Sequence, residues 1–374
     1  MKRVVMVTPN FYPHLGGAEK QALELSCALA ARGAKVRVLT RRRPGLAAEG
    51  SVRGIPVRRL PAFGGGLVDS ALFLVGVFLW LVIHARSYDA VHVHLAGSPA
   101  VAAALAARLL GKKVVVKVGG GRGIGEVAVS SRTPAGRLKL ALLGALHPTF
   151  VCVAEDLRAE LREYGLGADA LQVPNGVDLR AYAPAPPAEK EALRRVLGWK
   201  GLVFLYTGRL SVEKRLPEFL ASFAAARAAV GGEALVVLVG AGPEEHRIHA
   251  EAARLHLEDC LRVAGPSDEI AHFLRAADVF ILPSVSEGLS NALLEAMSCA
   301  LAVLASRVGG TREAVEEGRS GLLFDPMRSA EERAQIERLL RDPALAAKLG
   351  AEARRTAEER FSMDAVAERC LALY

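Results

Sequence analysis

The sequence lacks the motifs of two large nucleotide-binding enzyme classes. No GxGxxG with the spacing of a dinucleotide-binding turn occurs, even in the glycine-rich run GGGRGIGE at 119–126, and no Walker A run is present. These absences count against a classical nicotinamide or flavin enzyme and against a P-loop nucleotide hydrolase. Any nucleotide chemistry therefore needs another kind of phosphate site.

Cysteine is scarce, and its pattern does not predict a disulfide framework or a metal site. The chain has five cysteines in 374 residues, none of them in a CxxC pair. Four of the five lie in apolar stretches, which favours reduced, packed thiols in a cytosolic protein. The N-terminal run MKRVVMVTPNFYP is basic, but its apolar part is too short for a signal peptide and predicts a first buried strand.

The sequence also lacks an apolar run long enough to span a bilayer. The longest one, ALFLVGVFLWLVIHA at 71–85, is shorter than the roughly 20 residues that a spanning helix needs. We favour a helix buried against a sheet and keep a membrane-surface helix as the alternative. The net charge of +8 suits an anionic substrate or membrane surface, and no RNA- or DNA-binding motif accompanies it, so a nucleic-acid partner is not expected.

What is present is a repeated alternation of β-branched runs with Ala/Leu-rich helical runs. This order predicts an α/β fold with parallel sheets. It breaks at the proline-rich stretch LRAYAPAPPAEKEA, 179–192, and restarts at GLVFLYTGRL. We therefore predict two Rossmann-like domains facing across a cleft, at 1–178 and 199–358, with a linker at 179–198. A C-terminal helix at 359–374 is expected to pack back on the first domain.

In such sheets ligands bind at the carboxyl ends of the strands, so the loops that follow strands are the candidate sites. Gly16 and Gly17 follow the first strand and precede a helix, where backbone N–H groups can bind an anion. Arg209 and Lys214 lie in TGRLSVEKR, after the first strand of the second half. Two cations closing from two sides would neutralise a diphosphate, although solvated surface charge is an equally good interpretation of each alone.

The stretch SEGLSNALLEAMSC, 286–299, places one carboxylate before a helix and another within it. Ser290 is a good N-cap residue, so Glu287 would lie in the loop and Glu295 in the second helical turn. An ordinary surface acid is the alternative interpretation of Glu295. The predicted phosphate or sugar cradle is formed by backbone N–H groups of the helix start, at Gly288, Leu289, Ser290 and Asn291.

Several motifs together resemble the retaining glycosyltransferases of family 4, which have the GT-B fold. They are the glutamate pair with seven residues between, the GR…EK loop before it, the Gly-Gly after the first strand, VPNGVD near the linker and VGG at 308–310. The resemblance implies that Glu287 contacts the donor sugar and that Glu295 holds the ribose hydroxyls. It also implies that Arg209 and Lys214 stabilise the leaving diphosphate, as fixed positive groups should where negative charge develops.

The resemblance adds further site residues. Ser267 would meet the base through its backbone, and Gly16 and Gly17 would face the diphosphate. The acceptor-binding set expected from it is His14, His94, Gly119, Gly120 and Gly121. No DxD occurs, so the resemblance implies a reaction without a metal or cofactor, in which the cations and a helix dipole take the metal's role.

Three positions depart from the family pattern. Gly119 stands where the family often carries a His that contacts the donor sugar or the acceptor, so GGGRG is expected to form a different loop. Ala300 and Ala302 replace a Gly and a Pro after the glutamate helix. Arg215 follows the Glu-Lys pair in place of a Gly and adds a cation.

Two histidine pairs remain outside these motifs. His92 and His94 alternate on a strand and so face one side of it. A metal pair is less favoured there than core or cleft-lining histidines. His246 and His249 lie on one predicted helix face, with no third ligand evident.

The expected function is retaining transfer of a hexose from a UDP- or GDP-sugar to a hydroxyl acceptor, in the synthesis of a cell-surface glycan, glycolipid or polysaccharide. The alternatives are a sugar-nucleotide epimerase with the same fold and an inactive nucleotide-sugar-binding relative. The expected location is the cytoplasm. Peripheral binding to the inner membrane face is a further expectation, based on Arg41–Arg43, Arg58 and Arg59 together with Phe73, Phe78 and Trp80.

Overall fold

The computed structural model describes residues 1–13, 16–63 and 66–374, and they form two compact units. The first unit comprises Met1–Gly176 and Met363–Tyr374, and the second comprises Val177–Ser362. Each unit is built on its own β-sheet flanked by helices. The segment 179–198, assigned to a linker from the sequence, lies in the second unit and contains a helix.

The elements of the first unit up to residue 176 alternate between strands and helices. They are β1 Arg3–Val7, α1 Gly17–Ala31, β2 Lys35–Arg41, β3 Glu49–Val52, β4 Ile55–Leu60, α2 Gly66–Ile83, β5 Ala90–His94, α3 Ser98–Leu109, β6 Lys113–Val118, α4 Glu126–Ser131, α5 Pro134–Leu146, β7 Thr149–Cys152, α6 Glu155–Glu163 and β8 Leu171–Gln172. A 3₁₀ turn at Ala85–Ser87 follows α2.

The second unit continues the alternation with a mostly regular βα repeat. Its elements are α7 Pro187–Leu197, β9 Leu202–Thr207, α8 Leu216–Val230, β10 Ala234–Val239, α9 Glu245–Arg254, β11 Leu261–Gly265, α10 Ile270–Ala276, β12 Val279–Leu282, α11 Asn291–Ser298, β13 Ala302–Ser306, α12 Thr311–Ala314, β14 Gly321–Phe324, α13 Ser329–Arg341 and α14 Pro343–Arg360. A last helix, α15 Met363–Leu373, belongs to the first unit.

The sheet of the first unit has eight strands in the order β3-β4-β2-β1-β5-β6-β7-β8. Within the described residues, β3 is the one strand that runs antiparallel to its neighbour. The central strands are apolar because helices cover both faces of a parallel sheet. The β3–β4 hairpin was not anticipated, since EGSV and IPVRRL carry weak strand signals between two prolines.

The second sheet has six parallel strands in the order β11-β10-β9-β12-β13-β14. This is the doubly wound order, in which the chain runs outward from β9 in one direction and then from β12 in the other. The switch point therefore lies between β9 and β12. The loops that leave these two strands diverge there and leave room for a ligand at the carboxyl edge.

The helix α15 packs on α1 and completes the core of the first unit. Val366, Ala367 and Cys370 are buried in one cluster with residues of β1, β2 and α1. The glycine of VPNGVD explains the close approach, because a Cβ on Gly176 would lie 2.8 Å from the Cα of Met363. The side-chain amide of Gln21 donates to the Gly176 carbonyl at 2.7 Å and accepts from its N–H at 3.1 Å.

The helix α2 has one buried and one exposed apolar face. Phe73, Val77 and Trp80 are buried, at the spacing of one helical face. The other face exposes Leu79 and Ile83, which are 49% and 74% accessible. The preferred interpretation as a buried helix is therefore correct for Phe73 and Trp80, and these two rings are not a membrane-facing surface. In the described ranges, no helix combines the length and the apolar character needed to cross a bilayer.

Candidate active site

The switch point of the second sheet brings together the loops that carry Arg209, Lys214 and Glu287. The first loop leaves β9 and runs through a 3₁₀ turn at Val212–Lys214, and the second leaves β12 and leads into α11. Lys214 and Glu287 are 73 positions apart in sequence, but the strands that precede their loops are neighbours in the sheet. The predicted catalytic residues thus lie where ligands bind in doubly wound sheets.

The loop after β9 is supported by the buried phenol of Tyr206. The Tyr206 hydroxyl donates to the carbonyl oxygen of Arg209 at 2.8 Å, and its ring is 1% exposed. Burial raises the pKa of Tyr206, so the phenol stays a hydrogen-bond donor. Gly240 lets the neighbouring loop approach, since a Cβ there would lie 1.8 Å from the Gly208 carbonyl oxygen. The Arg209 position is exposed, and no ion pair of its side chain occurs among the described residues.

The central contact of the site is an ion pair between two predicted catalytic residues. Lys214 Nζ lies 2.5 Å from Glu287 Oε1, with 19% and 11% of the two side chains exposed. The hydroxyl of Ser284 donates to the same Glu287 oxygen at 2.6 Å and is fully buried. Glu287 is thus fixed by two donors, and Lys214 is turned toward a carboxylate.

Glu213 ties the two loops together. The Ser211 hydroxyl donates to its carboxylate at 2.5 Å, and its carbonyl oxygen accepts from the Val285 N–H at 2.9 Å. Burial opposes ionisation of Glu213, but the Ser211 hydrogen bond and the charges of Lys214 and Arg209 lower its pKa overall. The Glu-Lys turn and the loop that carries Glu287 are therefore joined by a backbone hydrogen bond as well as by the Lys214–Glu287 ion pair.

The VGG run at 308–310 packs directly against the Glu287 loop. The Gly310 N–H donates to the Gly288 carbonyl oxygen at 2.6 Å. A Cβ on Gly309 would lie 1.8 Å from the Glu287 carbonyl oxygen, and one on Gly310 would lie 2.4 Å from that of Gly288. Only glycine fits this approach, so the motif acts through backbone packing.

The helix α11 begins as the sequence predicts. Ser290 is the N-cap, and its hydroxyl accepts from the Leu293 N–H at 3.4 Å. Leu289 is buried, whereas Asn291 is half-buried at the helix start. Glu295 is only 5% exposed, so it is not an ordinary surface acid. Its role as the ribose ligand and the phosphate cradle at 288–291 stay predictions.

Ser267 follows β11, at the edge of the second sheet. Its hydroxyl accepts from the Glu269 N–H at 3.0 Å and so shapes the turn. β11 is separated from β9 by β10, and Ser267 leaves the same carboxyl edge as the other loops. The predicted backbone contact with a base stays a prediction.

The remaining predicted site residues lie in the first unit, apart from His14, which is outside the described residues. Gly16 is the N-cap of α1, and its N–H donates to the Glu19 carboxylate at 3.0 Å. The start of α1, predicted to attract an anion at Gly16 and Gly17, therefore already has a carboxylate of the protein on one of its N–H groups.

His92 and His94 face one side of β5, as expected from their alternation. Their rings stack at 4.8 Å between centroids, and both side chains are buried. His92 Nδ1 lies 2.5 Å from the Tyr374 hydroxyl, while the Nε2 atoms of both rings are buried without a hydrogen-bond partner. Burial lowers the pKa of His92 to about 3, and also that of His94, so both rings are neutral. This supports the interpretation as core histidines, and it does not favour the acceptor contact predicted for His94.

The run Gly119–Gly121 forms a compact turn organised by carboxylates. The Gly119 N–H donates to Glu126 at 3.2 Å, and the Gly123 N–H donates to Glu160 at 2.9 Å. A Cβ on Gly120 would lie 2.6 Å from the Cα of Gly125, whereas a Cβ on Gly119 meets nothing within 4 Å. The turn thus requires glycine at 120 but has room for a side chain at 119.

We expect opposite outcomes for substitutions at these neighbouring glycines. Gly120→Ala should destabilise the protein by about 1–3 kcal/mol, because its Cβ overlaps rigid backbone. Gly119→His, which restores the residue that the family often carries, should leave the melting temperature unchanged. Thermal unfolding of both variants checks this. Equal destabilisation by the two substitutions would contradict the geometry of the turn.

The next features are possible metal ligands and the cysteine thiols. Across residues 1–13, 16–63 and 66–374, no three His, Cys, Asp or Glu side chains come together as a metal site. His246 and His249 are exposed on α9. All five cysteines are free thiols, and four are buried, in agreement with the expected packed thiols.

Comparisons with known proteins identify the class and then the family. The structure of HepE from Anabaena in complex with UDP and glucose superposes with a TM-score of 0.82 at 20% identity, covering 100% of this chain and 99% of that one. The sucrose-phosphate synthase of Thermosynechococcus elongatus gives a TM-score of 0.79 at 22% identity, covering 100% and 98%. These likenesses show that the chain has the GT-B fold.

Sequence comparison gives the family. The profile described as Glycosyl transferases group 1 matches residues 189–356, and the profile Glycosyltransferase Family 4 matches residues 15–181. A D-inositol 3-phosphate glycosyltransferase of Frankia alni is 31% identical over 377 residues, 90% of this chain and 88% of the relative. The chain belongs to glycosyltransferase family 4, which confirms the resemblance and the predicted fold. The match to the Streptomyces bingchenggensis enzyme of the same name, at 31% identity, spans 62% of this chain and about half, 53%, of the relative.

The roles of three residues of the site were not predicted from the sequence. Ser284 holds Glu287, Glu213 joins the two loops, and Tyr206 supports Arg209. Ser284 and Tyr206 stand at the ends of the two strands that flank the switch point, which is the signal that would have found them. Glu213 is the glutamate of the GR…EK motif, but the sequence analysis gave its side chain no role.

Proposed function

We propose that this glycosyltransferase moves a hexose from a UDP- or GDP-sugar to a hydroxyl acceptor, with retention of anomeric configuration and without a metal. The observation that carries the proposal is the meeting of Lys214, Glu287 and the exposed Arg209 position at the switch point of the second sheet. The cations suit a diphosphate, and the carboxylate suits sugar hydroxyls or the positive charge that the sugar develops.

The geometry suggests how the donor enters. Lys214 is held by Glu287, so a diphosphate must compete with the carboxylate for the ammonium group. Once Lys214 has moved to the phosphates, Glu287 keeps its hydrogen bond from Ser284 and can accept from the sugar. As the sugar–phosphate bond breaks, Lys214 and Arg209 stabilise the charge that grows on the leaving diphosphate.

The comparisons guide the choice of donor and acceptor. HepE was solved with UDP and glucose, which supports a uridine donor as the first choice. Relatives are named for D-inositol 3-phosphate, and one of Bacillus anthracis, 25% identical over 377 residues, is named N-acetyl-alpha-D-glucosaminyl L-malate synthase. These names supply two hydroxyl acceptors for an assay, beside lipid-linked sugars.

The test begins with a thermal-shift panel of UDP- and GDP-sugars, followed by transfer assays with the best donor and these acceptors. We expect stabilisation by one nucleotide series, acceptor-dependent release of the nucleoside diphosphate, and turnover that EDTA does not lower. Product anomers assigned by NMR should match the donor. A donor rearranged without an acceptor would instead indicate an epimerase, and no stabilisation by any donor would contradict the proposal.

Glu295 offers a separate test of the nucleoside site. We expect Glu295→Ala to weaken the binding of UDP or GDP alone by about tenfold, because the two ribose hydroxyls would lose the carboxylate that accepts their hydrogen bonds. Calorimetry with the nucleotide and no sugar measures this. Because Glu295 is buried, the melting temperature without ligand must be measured in parallel. A folded variant with unchanged nucleotide affinity would remove the ribose role.

The exposed face of α2 supports a second proposal, peripheral binding of the first unit to an anionic membrane. Val75, Leu79 and Ile83 are exposed on α2, and Leu105 and Leu109 are exposed on the neighbouring helix α3. Apolar side chains of this kind can enter the headgroup boundary. The arginines contribute less than the sequence suggested, since several are engaged within the protein.

Three contacts show this engagement of the arginines. Arg41 pairs with Asp69 at 3.2 Å, Arg58 pairs with Glu49 at 2.6 Å, and Arg59 is 8% exposed. Arg42 and Arg43 are exposed, although each also bonds to an oxygen of the protein. Electrostatic attraction to lipid would therefore come mainly from these two, at about 1 kcal/mol each near an anionic surface.

We expect the protein to pellet with anionic liposomes at low salt. Leu79→Asp combined with Ile83→Asp should abolish pelleting, because both charges would enter the apolar boundary. The control is Val196→Asp, at a residue that is 86% exposed on α7 of the second unit. Pelleting that survives the double substitution, or is absent in the wild type, would contradict the proposal.

A further inference from the structure

A cavity of about 530 Å³ lies among α8, α9 and α13 on the second unit. Small side chains leave the space open, among them Ala221 and Ala225 on α8 and Ala330 on α13. Its volume falls in the range of about 300–1,000 Å³ that is usual for small-molecule sites. None of the residues predicted to bind the donor or the acceptor lines it.

Three arginines line this cavity, together with two glutamates that are already neutralised. Glu218 pairs with Arg247 at 2.8 Å, and Glu251 pairs with Arg254 at 2.6 Å. Arg333 also lines the cavity, and its guanidinium pairs with a glutamate one turn along α13 at 2.7 Å. The two glutamates that line the cavity are therefore paired with other arginines and do not neutralise the charge of Arg215.

Arg215 differs from the other two arginines of the cavity, because it has no ion pair among the described residues. Its Nη1 is buried without a hydrogen-bond partner, as is Oε1 of Glu332, and no described carboxylate lies within ion-pairing distance of Arg215. Glu332 interacts electrostatically with Arg215, and it is 1% exposed and accepts a hydrogen bond from Ser222 at 2.7 Å. Burial raises the pKa of Glu332, which weakens it as a counter-charge. Arg215 therefore brings to the cavity wall a positive charge that no ion pair among the described residues neutralises.

The backbone conformation of Arg215 is also unusual for an arginine. Its φ is 52°, in the left-handed region that favours glycine, and it is the residue just before α8. A long side chain is held there against that preference, at a cost of about 1 kcal/mol or more. Lys214 precedes it directly, and the Lys214 side chain turns to Glu287. The two adjacent cations thus serve different places.

We propose that this cavity is a second anion site, which binds a small molecule carrying a phosphate group through Arg215, with Arg247 and Arg333 on the other walls. Guanidinium groups bind phosphate oxygens in pairs of parallel hydrogen bonds, and the small alanines leave room for an attached sugar or polyol. Occupancy restrains the residue next to Lys214, so the site also acts on the turn that faces Glu287. The inference does not depend on which donor the enzyme uses.

The test uses isothermal titration calorimetry with glucose 6-phosphate, inorganic phosphate and glucose as probes. We expect the wild type to bind both phosphates and not glucose, with the ester bound more tightly if the sugar fills the cavity. Arg215→Gly should lower affinity for glucose 6-phosphate by about tenfold or more. Glycine suits the φ at this position, so this variant should fold at least as well as the wild type.

Three further variants separate this site from other arginines and from the donor site. Ala225→Phe should block the sugar phosphate by filling the cavity. Arg338→Ala, an exposed arginine of α13 outside the lining, should bind as the wild type does. Lys214→Ala should also keep binding. Loss of binding in Lys214→Ala with retention in Arg215→Gly would place the phosphate at the donor site and overturn the proposal, as would no phosphate binding by the wild type at millimolar concentration.

Discussion

Glu287→Gln is expected to slow sugar transfer and, at the same time, to tighten the binding of the nucleoside diphosphate. Turnover should fall by about a hundredfold or more, because the carboxylate no longer stabilises the positive charge on the sugar. Binding of the nucleoside diphosphate should become tighter by about threefold to tenfold, since Lys214 is released from an ion pair worth about 1 kcal/mol. Steady-state rates and calorimetry with UDP or GDP measure the two effects.

Two variants serve as controls for this result. Glu269→Gln changes the charge equally at an exposed position and should alter neither quantity. Ser284→Ala removes the second donor to Glu287 and leaves the Lys214 contact, so it should lower turnover without tightening nucleotide binding. If Glu287→Gln bound the nucleotide more weakly than the wild type, competition between carboxylate and diphosphate would be wrong.

Lys214→Ala is expected to cost both turnover and affinity, with turnover reduced at least as much. Removing one positive group aimed at a leaving diphosphate costs about 2.7–4 kcal/mol in comparable sites, or about a hundredfold to a thousandfold in rate. Arg209→Ala should act in the same direction. Its smaller burial predicts a smaller loss, because solvent screens an exposed charge more strongly.

The matched control is Lys200→Ala, which removes an exposed lysine of the same unit. It should leave kcat and nucleotide affinity within twofold of the wild type, as is usual for surface substitutions. Near-wild-type turnover in both Lys214→Ala and Arg209→Ala would refute the diphosphate clamp. A loss of affinity alone would place these residues in binding and not in the chemical step.

The sequence was sufficient for features that depend on local pattern. The alternation of β-branched and Ala/Leu-rich runs specified two parallel α/β sheets, because strand and helix periods differ and each must bury its apolar side. Ser290 before NALLEAMS specified the start of α11, since a side-chain oxygen at the N-cap satisfies a backbone N–H within one turn. The family motifs indicated the class in the same way, because each is a short run of residues that can be recognised in the sequence alone.

Only the tertiary structure decided which distant groups meet. Strand order is set by packing and crossover handedness, so the sequence does not show that β9 and β12 are neighbours. For the same reason it does not show that Lys214 and Glu287 form an ion pair. The burial of Glu295 and the open face at Leu79 likewise depend on what packs above each helix. Arg215 is the clearest case, because its residue type is visible in the sequence, whereas its left-handed backbone, its buried, unpartnered Nη1 and its place in a cavity wall are properties of the folded chain.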